Sequence, residues 1–336
     1  MKKYELLPVT GPDSVAGWQL TEAAPPQPGP GQVLVRVRAV SLNYRDLIVA
    51  KSPNQPEHLV PCSDGAGEVA ALGAGVTRVQ VGDRVAGIFF QTWLDGPLVV
   101  EVHAHALGGA IDGMLAEYVV LSEQGLVKLP EYLTYEEGAC LPCAGLTAWN
   151  SLFEQGQLQS GQTVVLQGTG GVSILGLQLA KAAGARVIIT SSSDEKLARA
   201  QELGADETIN YRTTPDWEAE VLRLTNGLGA DHVVEVSGAG TLEKSMQAAR
   251  ASGHIAFVGV LTGVSAPIGT YPLLFKSLRL TGIYVGNRAM FERYLQALTL
   301  IQLRPVIDRV FEFAEAPAAF AHLQSGAHFG KVVVRV

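Results

Sequence analysis

Hydrophobic and polar positions follow two rhythms along this chain. Over residues 1–120, apolar residues come in short runs broken by Gly and Pro, the rhythm of strands and turns. Residues 32–40 alternate after a Pro/Gly-rich turn at 25–31, which predicts a strand. Residues 41–46 open a helical stretch that runs through Ala50. Residues 61–69 lead into another strand, 81–85 read as a tight turn followed by a strand, and 113–120 return to strand. Residues 88–112, with Phe89, Phe90, Trp93, His103 and His105, read equally as a loop over a pocket or as a surface excursion. The aromatic residues there suit a pocket lining or a core alike.

From about residue 130 the period changes. Thr134 and Glu137 form a capping-box signature, and helical residues run towards Phe153 with an interruption at Pro142. Beyond Gly161, strands are predicted at 163–167, 186–190, 207–210, 231–236 and 254–258. Helices are predicted between them at 171–182, 194–203, 216–225 and 241–250. Such alternation predicts an α/β domain with a parallel, doubly wound sheet. A strand at 278–285, a helix at 289–301 and a closing strand at 331–336 follow, and the tail is expected to return to the first domain. The expected division is a β-rich domain at 1–125, completed by 288–336, and a doubly wound domain at 126–287.

The most informative stretch is 164–176. Val164, Val165 and Leu166 form the apolar run of a strand covered on both faces. Gly168, Gly170 and Gly171 allow a tight turn and leave no side chain between the backbone and a ligand. The helix that starts at Gly171 and Val172 offers free N–H groups and a positive dipole end to a pyrophosphate. The pattern is GxGxxG with Ser173 at the third glycine, a residue still small enough for close helix–strand packing. Its strand–turn–helix–strand context makes Gly168, Thr169, Gly170, Gly171 and Val172 candidate dinucleotide ligands.

Composition narrows the classes. Apolar residues make up 47% and charged residues 17% of 336 residues, as in globular chains with room for two cores. The net charge of −7, without a basic block, argues against a nucleic-acid partner. No apolar run reaches membrane length, and Met1-Lys2-Lys3 leads into Tyr4-Glu5 rather than a signal-peptide core. Cys62, Cys140 and Cys143 make no disulfide framework, so a cytoplasmic setting is expected.

Leu42-Asn43-Tyr44-Arg45-Asp46, Gly65-Ala66-Gly67-Glu68-Val69, Val81-Gly82-Asp83-Arg84-Val85, Gly113-Met114-Leu115-Ala116-Glu117-Tyr118 and the 168–176 turn together resemble the medium-chain dehydrogenase/reductase superfamily. The resemblance covers essentially the whole chain. It implies a GroES-like catalytic domain, a Rossmann domain inserted in it, a cleft between them, and homodimers joined through the Rossmann sheets.

Zinc alcohol dehydrogenases of this superfamily hold zinc with Cys, His and Cys. By motif these positions fall on Asn43, Ser63 and Cys143, and a neighbouring family Glu falls on Asp64. Catalytic zinc needs three protein ligands from Cys, His or carboxylate, and Cys143 with Asp64 supplies two. The four-cysteine structural lobe is absent, since no Cys lies between 63 and 139. The expectation is a zinc-free member with no metal ligands, a vestigial metal site being the alternative.

The sequence is then most similar to the zinc-free quinone oxidoreductase and enoyl reductase branches. The resemblance sets Asn43 beside the nicotinamide and the substrate oxygen, where its amide stabilises developing enolate charge. A plain helix cap is the competing role. Tyr44 and Arg45 are further donor candidates, and Asp46 orients its neighbours. Residues 52–56 lack the tyrosine that some quinone oxidoreductases carry there, which leaves solvent as a proton source.

The second strand of the unit ends at Ser191, where NAD enzymes place an acid for the ribose 2′-OH. A serine there, with Lys196 five residues on, favours NADP(H) over NAD(H), although Asp194 and Glu195 lie close by. An ordinary turn with Ser193 as helix cap is the alternative. Thr147, Tyr211, Gly259, Val260, Asn287 and Lys331 are carried over by resemblance as cofactor-binding positions, Lys331 near the pyrophosphate. The expected function is NADPH-dependent reduction of quinones or α,β-unsaturated carbonyls, a small-molecule activity. The rivals are an alcohol dehydrogenase and a dinucleotide-binding protein without turnover.

Overall fold

The computed structural model describes residues 1–7, 17–52 and 54–336, so Pro53 in the segment without a tyrosine lies outside the described residues. The chain divides into two compact units, residues 1–146 with 285–336 and residues 147–284.

Unit 1 holds strands β1 (Lys2–Leu6), β2 (Trp18–Glu22), β3 (Gln32–Leu42), β4 (Asp64–Leu72), β5 (Arg84–Gly87), β6 (Tyr118–Ser122) and β7 (Leu126–Lys128). Unit 2 holds β8 (Thr163–Gln167), β9 (Arg186–Ser191), β10 (Glu207–Asn210), β11 (Ala230–Glu235), β12 (Ala249–Phe257) and β13 (Arg279–Gly282). The chain then returns to unit 1 for β14 (Ile307–Glu312) and β15 (Lys331–Arg335).

In unit 1, β1 and β2 form an antiparallel pair, and the remaining strands form a sheet in the order β14-β15-β3-β4-β5-β7 with β6 also on β3. β3 is the hub. One edge pairs with β4; the other pairs with β6 over Gln32–Arg36 and with β15 over Ala39–Leu42. Its alternation therefore gives way to nearly continuous burial, broken by Arg36. The core gathers Val33, Val35, Val37, Leu121, Val332 and Val334, with Phe320 from the helix Ala316–Gln324. Residues 88–112 are divided: Phe89, Phe90 and Trp93 are buried and Leu107 N donates to Phe89 O at 3.0 Å, whereas residues 95–101 are an exposed excursion. The three rings are thus core.

The boundary expected at 125/126 falls instead at 146/147. β7 pairs with β5, and the helical segment after it packs on β3 and β4, so 126–146 stays with the β-rich unit. Pro142 does not end that segment; it sits in the first positions of a wide π-type turn, Leu141–Gly145, where its missing N–H costs little. The expected return of the tail is realised, and β14 was not predicted at all.

In unit 2 the six strands are all parallel, in the order β10-β9-β8-β11-β12-β13. This is the doubly wound arrangement, and the strand order reverses at β8. Helices Gly171–Ala182, Asp194–Glu202, Trp217–Leu224 and Leu242–Ala248 alternate with the strands as predicted. Val165, Ile188, Val233 and Ile255 form the spine of a separate core. The predicted strand 278–285 is shorter, Arg279–Gly282. Among the described residues no helix is long and apolar enough to cross a membrane.

Candidate functional site

In unit 1 the carboxyl end of β3 runs into the helix Tyr44–Lys51, whose N-cap is Asn43. Asp46 Oδ2 accepts the Asn43 N–H at 2.8 Å, the carboxylate half of a capping box. The same region receives β4, which opens with Asp64, and β15, which opens with Lys331. Asn43, Asp46, Asp64 and Lys331 are all buried. Lys331 Nζ donates to Leu42 O at 2.7 Å and to Asn43 Oδ1 at 2.6 Å. Asp64 Oδ1 accepts from Ser63 Oγ at 2.7 Å, and Oδ2 accepts from the Cys143 N–H at 3.0 Å. Cys62 lies in the left-handed region at φ 71°, an uncommon conformation for a non-glycine residue, directly before Ser63 and Asp64.

Two carboxylates and two cations thus share a dry site. Burial pushes the Asp46 carboxyl up to about 6; Arg45 and the Asn43 N–H pull it down, and Asp64 adds to the rise. Asp64 is raised as well, chiefly by burial, while the Lys331 ammonium is the first of the influences that favour its ionised form. The Asn43 side chain also favours that form, although Nδ2 meets no acceptor in hydrogen-bond geometry among the described residues.

The other residues expected to act beside Asn43 divide in two. Tyr44 is exposed. Arg45 Nη1 donates to Leu107 O and Gly108 O, both at 2.9 Å, and to Asp46 Oδ1 at 3.2 Å, with its guanidinium over the Phe89 ring. Arg45 Nη1 therefore clamps the 107–108 loop to the helix. Asp46 holds the Asn43 backbone N–H.

In unit 2 the carboxyl end of β8 carries the glycine turn. Gly168 has φ +71°, a conformation that strains any side chain, and a Cβ added at Gly168 or Gly170 meets nothing within 4 Å. The helix Gly171–Ala182 starts at Gly170 without a side-chain cap. An uncapped helix start beside an open glycine cradle suits a pyrophosphate. Ser173, in place of the third glycine, donates to Gln167 O at 2.6 Å and so closes the turn.

Sequence reading missed Glu235, the residue that organises this end of the sheet. It is buried at the end of β11. Oε1 accepts from Ser237 N, Gly238 N and Thr241 Oγ1, and Oε2 from Gln167 Nε2 and Ser245 Oγ, all between 2.5 and 2.9 Å. Its only signal in the sequence is an acid closing an apolar strand.

Ser191 ends β9, buried, with its Oγ accepting from Ser193 N at 3.3 Å and its carbonyl accepting from Tyr211 N at 3.1 Å. Ser193 caps the helix Asp194–Glu202, whose first turn contains Lys196. The cap and the strand tip therefore coexist. Asp194 holds Asn210 Nδ2 at 2.6 Å. Gly259 and Val260 follow β12, their turn packed on the Val236–Gly238 backbone. Thr147 is buried in the helical segment and accepts from Ser151 Oγ at 2.7 Å.

Two residues expected at the cofactor lie in unit 1 with local partners. Asn287 caps the helix Arg288–Ile301, its Oδ1 accepting from Met290 N at 2.8 Å and its Nδ2 donating to Gly96 O at 3.1 Å. Both arms of its amide are engaged within unit 1, as a helix cap and a tie to the Gly96 carbonyl. Lys331, expected at the pyrophosphate, is buried against Asn43 because β15 pairs with β3 at Leu42.

Comparison with known proteins bears on these two halves. Residues 29–131 match the family described as alcohol dehydrogenase GroES-like domain, and residues 171–300 match the family described as zinc-binding dehydrogenase. A zinc-type alcohol dehydrogenase-like protein of Schizosaccharomyces pombe is 43% identical, with 93% of each chain covered. The chain belongs to the medium-chain dehydrogenase/reductase superfamily. It is an oxidoreductase of that superfamily, whose dehydrogenases depend on NAD(P). A quinone oxidoreductase of Pseudomonas aeruginosa is 32% identical over 99% of both chains. The solved structure of an NAD-dependent alcohol dehydrogenase, 34% identical and covered completely with this chain, superposes with a TM-score of 0.89.

Medium-chain dehydrogenases called zinc-binding raise the question of whether zinc suits this chain. At the family's ligand positions, Asn43 Oδ1 already holds a buried ammonium, Ser63 donates its hydroxyl to Asp64, and both Asp64 oxygens are engaged. Cys143 is then the one soft donor at these positions, its thiol pushed well above the ordinary range by burial and the Asp64 charge. Among the described residues no three of His, Cys, Asp or Glu converge as a metal group. The residues present do not fit a catalytic zinc. The dinucleotide, by contrast, fits the open cradle of Gly168–Gly171.

Proposed function

We propose that this chain is a zinc-independent, NADPH-dependent reductase of quinones and α,β-unsaturated carbonyls. The observation that carries the reading is Asn43: a buried amide whose oxygen is taken by Lys331 and whose Nδ2, beside the Asp64 carboxylate, meets no acceptor in hydrogen-bond geometry among the described residues. Buried donors are almost always paired, and one left over in a polar site suits an oxygen that arrives with the substrate.

A nicotinamide dinucleotide, when bound, supplies the hydride. Gly168, Thr169, Gly170, Gly171 and Val172 would hold its pyrophosphate, and Ser191 with Lys196 and Tyr211 its adenosine end. Gly259 and Val260 would shape the nicotinamide end, and Thr147 contributes to the same unit. Asn43 Nδ2 donates to the substrate oxygen, where negative charge gathers as a conjugated double bond or quinone accepts two electrons at carbon. A fixed dipole in a dry site stabilises that charge more than water does. A neutral amide has no proton to give up, so solvent delivers the proton that completes the reduction. A conjugated acceptor spreads the charge and needs only this modest help, in keeping with a site whose donor set does not suit a Lewis-acid metal.

The test is steady-state oxidation of NADPH and NADH by protein dialysed against EDTA, offered a quinone, a 2-enone and a simple aldehyde. Turnover of the first two with NADPH is expected. Asn43→Ala should lower kcat by about 100-fold, the scale for loss of one oxyanion donor, with dinucleotide affinity kept. Turnover of the aldehyde or an alcohol alone, or only after zinc is added, would overturn the reading in favour of the alcohol dehydrogenase activity named for its relatives. Absence of turnover with every acceptor would favour a binding protein.

A further inference from the structure

Lys331 is an unusual residue to find where it is. A lysine that is only 3% exposed needs partners for its charge and for three N–H bonds. It opens β15 and is brought to the carboxyl end of β3 by the Val332–Leu42 register. Its Nζ reaches two oxygens, Leu42 O at 2.7 Å and Asn43 Oδ1 at 2.6 Å. The Asp64 carboxylate is near enough to be stabilised by its charge.

This contact fixes the Asn43 amide. The oxygen and nitrogen of an asparagine look alike, and either face can present donor or acceptor unless a neighbour decides. An ammonium has donors and no acceptor, so the arm it touches must be the oxygen. The other arm must then be the NH₂ group. A flipped amide would set two donors against each other in a dry site. The backbone is held too, since Asp46 accepts the Asn43 N–H and Lys331 holds the Leu42 carbonyl immediately before it.

We infer that Lys331 is the positioning residue of the reaction: its ammonium takes the Asn43 oxygen, so that Nδ2 is the arm left to donate to the substrate oxygen. The inference rests on the donor role proposed for Asn43, and it gives the buried cation a task other than contact with a pyrophosphate. Lys331 touches no reacting atom; it acts through the amide. A donor that is pre-oriented does not reorganise during the reaction, and an amide free to flip would present its oxygen to a developing negative charge for part of the time.

A double-mutant cycle on the full chain, with a 2-enone and NADPH, tests this. Lys331→Met is expected to lower kcat by about 10-fold to 100-fold, the range for losing or misaligning one oxyanion donor. NADPH affinity, measured by fluorescence titration without substrate, should stay within about two-fold because the cradle lies in the other unit. Lys331→Gln keeps an N–H donor without the charge and should recover a large part of that kcat. In the Asn43→Ala background, Lys331→Met should cost nothing further, because effects that run through one residue are not additive. Additive losses, or a loss confined to NADPH affinity, would overturn the inference and return Lys331 to the pyrophosphate while leaving the Asn43 reading intact. An unchanged kcat in Asn43→Ala alone would sink the donor reading itself, and the positioning role with it. Should Lys331→Met fail to fold, Lys331→Gln decides through the same cycle: a partial loss of kcat at unchanged NADPH affinity that vanishes in the Asn43→Ala background supports the role, and a loss of affinity, a loss of kcat that persists in that background, or no loss at all overturns it.

Discussion

A methyl group added at Gly170 meets no atom within 4 Å, whereas one added at Gly259 runs into Val236 O. Gly170 also has an ordinary negative φ of −80°, so nothing in the fold itself requires glycine there. Gly170→Ala should therefore unfold at nearly the wild-type urea midpoint yet bind NADPH at least about 10-fold more weakly, because the methyl occupies the cradle. Gly259→Ala should lose stability first, by about 2 kcal/mol or more, since backbone must move to admit the methyl. Urea unfolding and fluorescence titration of both variants separate the two cases. Equal affinity in Gly170→Ala would show that the glycine turn is not a dinucleotide site. Both glycines are expected at the cofactor, Gly170 from the glycine turn and Gly259 by resemblance, yet the atoms around them give them different tasks.

At the scale of elements, β11 and β12 carry a pair of histidines in register, His232 opposite His254, with ring centroids 5.7 Å apart. Both are buried, and His254 has no hydrogen-bond partner at either ring nitrogen among the described residues. Burial lowers each to about 4; for His254 the neighbouring His232 and Arg279 add to this, while Asp231 opposes it at His232. Between pH 6.5 and 4 the unfolded chain binds protons that the folded sheet refuses. Stability is then full above about pH 6.5 and falls as pH drops through that window. The shift corresponds to roughly 3 kcal/mol for one ring, and less than twice that for the coupled pair. His254→Phe should cost little at pH 7 and flatten the acid limb. Urea unfolding at pH 7 and pH 4.5 reads this directly, and equal acid sensitivity in the variant would refute the assignment.

For the whole molecule, the consequence is linkage between cofactor and stability. A ligand that binds only the folded chain at 100 times its Kd contributes about 2.7 kcal/mol. NADPH should therefore raise Tm more than NADH at equal concentration, if Ser191 and Lys196 prefer the 2′-phosphate. Ser191→Asp should reverse the order, because a carboxylate at the strand tip repels the phosphate and accepts from a ribose hydroxyl. A larger shift with NADH in the wild type would assign this chain to the NAD users, as one of its structural relatives is named.

The residue patterns by themselves determined the α/β class, the strand–helix alternation of unit 2 and the glycine turn. These follow from local periodicity and from conformations that only certain residues adopt, such as the positive φ at Gly168. The family resemblance added the poor metal donor set, because Asn43 and Ser63 stand at the positions it gives to zinc ligands and are the wrong residue types for them. Tertiary structure alone decided what pairing across long sequence separation brings together. Lys331 meets Asn43 because β15 joins β3, residues 126–146 stay with unit 1 because β7 joins β5, and Glu235 meets Gln167 because β11 joins β8. Phe89, Phe90 and Trp93 became core for the same reason, since burial depends on what packs against a ring and not on the residues beside it in sequence. A short-range pattern records preference; partners hundreds of residues away are chosen only when the sheet closes.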